Sequence, residues 1–335
     1  MPTRTNIEWT DFTSNPIQFK THAGARVWGC VKTSPGCAHC YAESLAHRFD
    51  RGGPFTASTM EGLTPRLDEA EVWALLRSKP IAGKRLFLAD MTDLFGAWVP
   101  DAILDRLLVV MAYRHDVTFQ VLTKRADRMR EYFAGVGADT DEWRARWDAA
   151  RKWVRALFTM PTRPHEHNRE LIGVKMAHTT FPLPNVHAGV SVEDNARASL
   201  RLPALTQTKA AVRFVSMEPL LESVDISIWM YSGFEEPPFD DVIDWVIVGG
   251  ESGPGARRCD VAWIRSIVQQ CQAASVPVFV KQLGARRIIT GSAEDRMREY
   301  DRGYRANNWT NHKGADPSEW PKDLRVREFP SEARS

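Results

Sequence analysis

Three of the chain's five cysteines fall within eleven residues, in the run Cys30-Val-Lys-Thr-Ser-Pro-Gly-Cys37-Ala-His-Cys40-Tyr-Ala-Glu43. Five cysteines in 335 residues are too few, and odd in number, for a disulfide scaffold, so this clustering points to metal. The Ser34-Pro35-Gly36 turn brings Cys30 back towards Cys37, and the two-residue gap to Cys40 lets two thiolates face one metal centre. A [4Fe–4S] cluster usually takes four cysteines, one per iron. Three cysteines leave one iron without a protein ligand, the position at which a cluster binds and reduces a small molecule. Two other readings stay open. His39 or His47 supplies the fourth ligand of a structural zinc. Alternatively the three cysteines pack as small apolar residues, for which a Ser-Pro-Gly loop is a poor setting.

The rest of the chain must position these thiols. Short apolar runs predict strands at Arg85–Ala89, Val117–Leu122, Val186–Val192, Val212–Met217, Trp245–Val248 and Val276–Lys281. Continuous apolar runs of this length suit strands buried on both faces, as in a parallel sheet. Helical patterns lie between them. Thr64-Pro65 reads as an N-cap with proline at the first helical position, followed by Asp68, Glu69, Val72, Leu75, Leu76 and Lys79. Apolar stripes recur at Ile103, Leu104, Leu107, Leu108 and Met111, and at Trp263, Ile264, Ile267, Val268 and Cys271. Alternation of strand and helix predicts an α/β fold, a parallel full or partial (β/α) barrel spanning residues 1–284. A helical insertion is expected over about 134–169, with Trp143, Trp147, Trp153 and Leu157 near helical spacing among arginines. Residues 285–335 leave the pattern and read as a capping extension, in which Trp309, His312, Lys313 and Trp320 are lid candidates.

Composition excludes little. Apolar residues are 43% and charged residues 26%, ordinary for a globular protein, and the net charge of +2 does not by itself argue for a polyanion or a membrane. No apolar run approaches a membrane span, and the N-terminus carries no apolar signal segment, so a cytoplasmic protein is expected.

In α/β barrels the residues just past each strand's C-terminal end line the active site. Here these are Asp90-Met91-Thr92-Asp93, Thr123-Lys124-Arg125, Ser191 and Glu193, Glu218, Gly249-Gly250-Glu251-Ser252, and Lys281-Gln282. The glycine run does not end in Gly-Lys-Ser/Thr and does not match dinucleotide spacing. It reads as a turn that lets backbone approach a ligand. Cys271 falls on an apolar helix face and reads as core, whereas Cys259 follows Arg257-Arg258 and reads as an inert thiol.

The cysteine spacing in an α/β barrel resembles the radical S-adenosylmethionine (SAM) superfamily, with a longer first gap and His39 where an aromatic usually precedes the last cysteine. Over nearly the whole chain, Asn6-Ile-Glu-Trp-Thr-Asp11, the Ser34-to-Glu43 loop, Val121-Leu-Thr-Lys-Arg125, Gly189-Val-Ser-Val-Glu193, Ser216-Met-Glu-Pro-Leu-Leu221 and Gly249-Gly-Glu-Ser-Gly-Pro254 resemble an uncharacterised three-cysteine gene-product family of bacteriophages and bacteria. The cysteine loop, Thr92-Asp93 and Glu218-Pro219-Leu220 are also distantly similar to spore photoproduct lyase. These resemblances imply a [4Fe–4S] cluster on Cys30, Cys37 and Cys40 whose open iron binds SAM, and reductive cleavage to methionine and a 5′-deoxyadenosyl radical.

The positions past the strand ends then offer partners for SAM. Asp93 is the candidate acceptor for its amino group and Lys124 the candidate cation for its carboxylate. Ser191 and Glu218 are candidates for its ribose, with Gly249, Gly250 and Glu251 near its adenine or sulfonium. An external one-electron reductant of flavodoxin or ferredoxin type is required. The resemblance suggests a nucleobase or nucleotide as substrate. The tryptophan-arginine insertion fits base stacking, or else an amphipathic helix with a solvated face. A non-catalytic, zinc-stabilised nucleic-acid-binding or interaction protein is the alternative class. Metal content separates them: anaerobic reconstitution is expected to yield about four irons per chain. Cys30→Ala, Cys37→Ala or Cys40→Ala should abolish that and Cys271→Ala should not, whereas one stoichiometric zinc would refute it.

Overall fold

The apolar runs become buried strands, and the structure, a computed structural model, describes residues 1–158, 179–230, 242–288 and 311–330. It is a mixed α/β protein whose larger sheet is mostly parallel, and its chain divides into two compact units. The first comprises Met1–Thr33, Cys40–Ala188 and Thr208–Ala211. Strands β1 (Thr3–Arg4) and β2 (Phe12–Ser14) open it, and β3 (Ile17–Lys20), β4 (Arg26–Val27) and β5 (Thr64–Leu67) form a separate antiparallel sheet in the order β4-β3-β5. Helices α1 (Tyr41–Arg48), α2 (Ala57–Glu61) and α3 (Glu69–Arg77) precede β6 (Arg85–Leu88). Then come α4 (Asp101–Tyr113), β7 (Thr118–Thr123), α5 (Ala126–Gly135) and α6 (Asp141–Leu157). The larger sheet runs β1-β2-β6-β7 and on to the start of β8 (Val186–Ser191). Within it β2, β6 and β7 are parallel and β1 is antiparallel to β2.

Two expectations in this unit need correction. Thr64-Pro65 does not cap a helix: residues 64–67 pair antiparallel with Ile17–Lys20, and proline sits on a strand at the sheet's edge. The cap of α3 is Asp68, whose carboxylate accepts from the Ala70 and Glu71 N–H groups at 3.0 and 3.3 Å, and Lys79 lies beyond the helix end. The base-stacking alternative for the insertion does not hold for Trp143 and Trp147, and the amphipathic helix, the other alternative, does. Trp143 and Trp147 are buried on α6, stacked at 5.6 Å between ring centroids and met edge-on by Phe181. Arg106 covers Trp153 at 4.9 Å, and Arg146 pairs with the buried Asp105. This is the amphipathic-helix alternative; residues 159–169 of the insertion lie outside the described residues.

The second unit comprises Ser34–His39, Gly189–Gln207 and Val212–Ser335. It holds the end of β8, α7 (Asn195–Thr206), β9 (Val212–Met217), β10 (Trp245–Gly249), β11 (Arg258–Asp260), α8 (Val261–Ala273), β12 (Val278–Gln282) and β13 (Arg286–Ile288). The strand order is β8-β9-β10-β12, with β10 parallel to both β9 and β12, and β11 and β13 form a two-stranded parallel ribbon. The C-terminal segment packs against this sheet. Val280 N–H donates to Val326 O at 2.9 Å, Glu328 N–H to Val278 O at 3.0 Å, and Trp245 Nε1–H to Glu328 O at 2.9 Å. Trp320 is therefore not a lid: it is fully buried, with Nε1–H donating to Gly314 O at 3.0 Å. His312 and Lys313 are exposed, and Trp309 lies outside the described residues. No helix among the described residues is long and apolar enough to cross a membrane.

A neighbouring ring makes glycine necessary at one motif position. A Cβ on Gly189, in β8, would stand 2.4 Å from the Phe214 ring of β9. Gly189→Ala is expected to cost about 1–3 kcal/mol by overpacking. Urea unfolding should show this as a lowered midpoint with an unchanged slope.

Candidate metal centre and strand-end residues

In the first unit the peptide around Cys30 is held from both sides. Beyond β6, Ala89 adopts a left-handed conformation with φ 64° and turns the chain into Asp90–Asp93. Thr92 Oγ1–H donates to Gly29 O at 2.6 Å, and Arg125 Nη2 donates to Val31 O at 2.9 Å. Cys30 sits between these two held carbonyls. Arg125 is held in turn. Its Nη1 meets Asp93 at 2.7 Å and its guanidinium lies 4.5 Å from the Trp98 ring centroid. Asp93 Oδ1 accepts from Thr123 Oγ1 at 2.6 Å and Phe95 N at 3.0 Å, and Oδ2 also takes the Lys124 N–H at 3.0 Å. Four donors fill the capacity of a carboxylate. The Lys124 side chain is half-buried.

Glu43, three residues after Cys40, holds the other flank, accepting from Phe55 N at 2.9 Å and pairing with Lys32. Burial acts to raise the Glu43 carboxyl, and the Lys32 and Phe55 hydrogen bonds bring it below its usual range. Tyr41 Oη–H donates to the Asp90 carboxylate at 2.8 Å, and Asn15 Nδ2 donates to the other oxygen. Burial nevertheless keeps the Asp90 carboxyl above its usual range. Cys30 and Cys40 both pack against the buried Ala42, Ala46, Phe55 and Met91. Burial first, and then the Asp93 charge, push the Cys30 thiol up to about 12.

In the second unit the segment Ser34–His39 is held by two carboxylates. Glu193 is fully buried; its Oε1 accepts from Ser34 Oγ at 2.7 Å and its Oε2 from Arg201 Nη1 at 2.9 Å. The same Arg201 nitrogen donates to Ser191 O at 2.7 Å. A Cβ on Gly36 would stand 2.2 Å from Glu193 Oε1, so glycine is what lets the turn reach the carboxylate. Glu251 Oε2 meets His39 Nδ1 at 3.1 Å and accepts from Arg257 N and Nε at 2.7 and 3.0 Å, while Oε1 takes Arg257 Nη2 at 2.6 Å. Arg257 Nη1 extends the chain of contacts to Pro35 O at 2.8 Å. Burial acts to raise the Glu251 carboxyl, but the Arg257 and His39 hydrogen bonds outweigh it and bring it to about 2. Cys37 Sγ lies 3.8 Å from Ser34 Oγ.

Elsewhere in this unit Glu218 Oε1 lies 3.0 Å from Lys281 Nζ, an ion pair whose angles do not make that oxygen a hydrogen-bond acceptor. The glycine pair is explained by neighbouring backbone. A Cβ on Gly249 would meet Gln282 O at 3.0 Å, and one on Gly250 would meet Leu283 O at 2.6 Å. Cys259 and Cys271 are buried, and burial pushes both thiols up to about 12.

All five cysteines are free of disulfides. Among the described residues no three His, Cys, Asp or Glu side chains converge as a single-ion site. Cys30 and Cys40 belong to the first unit and Cys37 to the second. A cubane places each cysteine on a different iron, so its sulfurs do not meet at one point. Cysteine thiolates are soft donors of the kind that iron–sulfur clusters and zinc take.

A family model described as "Protein of unknown function (DUF5131)" matches residues 4–312. The chain belongs to the DUF5131 family. No curated protein and no solved structure matches it.

In this DUF5131 chain sequence reasoning missed Arg201 and Arg257 as holders of the cysteine segment. Each follows its glutamate by a few residues, but nothing in the spacing shows that Ser34 and Pro35 complete the network. It also missed Asn15, whose Oδ1 takes the Met91 N–H at 2.9 Å.

The depressed Glu251 carboxyl makes a pH-dependent prediction. Its stabilising contribution is present above its usual value near 4.5 and is lost as pH falls through about 2. Urea unfolding should therefore show parent protein more stable than Glu251→Gln above about pH 4.5, with the gap closing towards pH 2. A gap independent of pH would contradict an ionised Glu251 as the holder.

Proposed function

We propose that this chain is a radical SAM enzyme in which Cys30, Cys37 and Cys40 hold a [4Fe–4S] cluster, within a full or partial parallel (β/α) barrel, and that it acts on a nucleobase or nucleotide. The observation that carries this reading is the way the cysteine segment is held. Carbonyls on both sides of Cys30, and the turn before Cys37, are fixed by the Thr92 hydroxyl and by the charged Arg125, Glu193 and Arg257, while no thiol is spent on a disulfide. Cys30, Cys37 and Cys40 would hold the cluster, which, reduced by the external carrier, would supply the electron for reductive cleavage of SAM to methionine and a 5′-deoxyadenosyl radical.

The protein's residues bind and orient. Asp93 and Glu251 act as positioning residues, since their oxygens are already occupied by Thr123, Lys124 N, Arg125, Arg257 and His39. Lys124 remains the candidate partner for the SAM carboxylate. Ser191 and Glu218 remain the candidates for its ribose hydroxyls; the Ser191 carbonyl is taken by Arg201, and Glu218 pairs with Lys281. The reductant is an external flavodoxin- or ferredoxin-type carrier, and the protein works in the cytoplasm.

Reduced, reconstituted protein given SAM should release methionine and 5′-deoxyadenosine, measured by chromatography. Lys124→Ala should keep its iron yet weaken SAM binding by about one to two decades, the worth of a charge-assisted hydrogen bond of about 1.5–3 kcal/mol. An intact, reduced cluster that never cleaves SAM would falsify the enzyme reading. A colourless, zinc-containing protein would favour the non-catalytic alternative.

A further inference from the structure

The ribbon β11–β13 carries an electrostatic cost that no acid among the described residues relieves. Its parallel register sets Arg258 opposite Arg286 and Cys259 opposite Arg287. Arg258 and Arg286 are both exposed. Like charges directly opposite each other on neighbouring strands are destabilising. The acids at hand are spent elsewhere: Glu251 on Arg257 and His39, and Asp260 on capping α8 through Ala262 N at 2.9 Å. Among the described residues neither Arg258 nor Arg286 has an acidic partner. The positive field is extended by Arg287, whose Nη1 donates to Gly284 O at 2.9 Å, and by the exposed Lys313 beside Gly314. A Cβ on Gly314 would stand 2.9 Å from that same Arg287 nitrogen.

The loop leading into β11 is bare. Ser252 to Gly255 are exposed, and Gly253 and Gly255 take left-handed conformations at φ 97° and 75°. A Cβ on either glycine would meet nothing within 4 Å. Exposed backbone beside a pair of exposed arginines in cross-strand register is a surface that suits phosphodiester contacts, because main-chain N–H groups and arginine forks both donate to phosphate oxygens.

We infer that the β11–β13 ribbon, through Arg258 and Arg286, binds the phosphodiester backbone of a nucleic-acid strand. This deepens the proposed reading, on which it rests for its substrate: the base acted upon is delivered as part of a polynucleotide. An acidic peptide carries its charges on separate flexible side chains. A polynucleotide carries one on every unit of the chain, and two cross-strand arginines held at fixed register match that better.

The test uses full-length reconstituted protein and a fluorescein-labelled single-stranded oligonucleotide, with binding read by anisotropy across a salt series. Each phosphate contact on a single strand contributes about 0.7 to the slope of log affinity against log salt. The Arg258→Ala/Arg286→Ala double variant should bind at least about tenfold more weakly, with a slope shallower by about 1.4 for two lost contacts. Arg258→Lys/Arg286→Lys should restore the slope, and polyglutamate should not displace the oligonucleotide. A double alanine variant with the parent's slope overturns the proposal, as does displacement by polyglutamate as effective as by unlabelled oligonucleotide. Iron content and SAM cleavage without nucleic acid are measured on the same samples and should be unchanged. Iron-free protein that shows the slope change sinks the cluster reading and keeps this one; active, iron-loaded protein without the slope change does the reverse.

Discussion

Irregular backbone cannot satisfy its own hydrogen bonds, and wherever it is taken out of water its carbonyls must find donors elsewhere. The segment from Gly29 to His39 is irregular apart from the short turn at Pro35–Cys37. Its Gly29, Val31 and Pro35 carbonyls find their donors in Thr92, Arg125 and Arg257. Each donor stands just past the end of a strand or in the loop that follows one, so the sheet's geometry is transmitted to the cysteine peptide through side chains. A helix would have satisfied the same carbonyls internally, but at the cost of fixing the thiols at helical spacing. The charged holders leave Cys30, Cys37 and Cys40 spaced by the loop instead.

Holding a loop with charges is expensive unless the charges are paired. Removing one partner of a buried pair typically costs about 3–5 kcal/mol because the other is left uncompensated. The structure meets this by arranging each acid with an arginine of its own: Asp93 with Arg125, Glu193 with Arg201, and Glu251 with Arg257. In each set the acid or its arginine has a further contact to the cysteine segment, so the segment is bonded to groups whose charge is already balanced.

The elements legible in the sequence are those whose signal is local. Val212–Met217 reads as a strand and is one, because six consecutive buried residues leave no amphipathic alternative. The α6 stripe is legible for the opposite reason, because its buried Trp143, Trp147 and Leu157 recur at helical spacing among charged residues. Thr64-Pro65 misleads because a β-branched hydroxyl residue followed by proline looks alike before a helix and in an edge strand. Only its pairing with Ile17–Lys20, far away in sequence, decides between them. Trp320 misleads because an aromatic in an irregular tail carries no mark of whether it is buried. The cysteine loop was visible as chemistry, and Glu193, Glu251 and Arg125 were visible as strand-end polarity. Their actual task was not, since a residue's type does not show which backbone carbonyl or which opposite charge it will meet.

The saturation of these acids constrains any ligand. A cofactor amino group seeking Asp93 must displace Thr123, Lys124 N, Phe95 N or Arg125, and losing Arg125 frees the Val31 carbonyl next to Cys30. One seeking Glu251 must displace Arg257 or His39, and with Arg257 goes the hold on Pro35. Binding at either acid would therefore loosen the peptide that carries the thiols. Glu218 is under no such obligation: its partner is Lys281, one of its oxygens lacks a hydrogen bond, and none of its recorded contacts reaches the cysteine segment. Among Asp93, Glu251 and Glu218, Glu218 could be engaged without freeing a carbonyl of the cysteine segment, but its buried Oε1 would first have to be uncovered and its pairing with Lys281 given up.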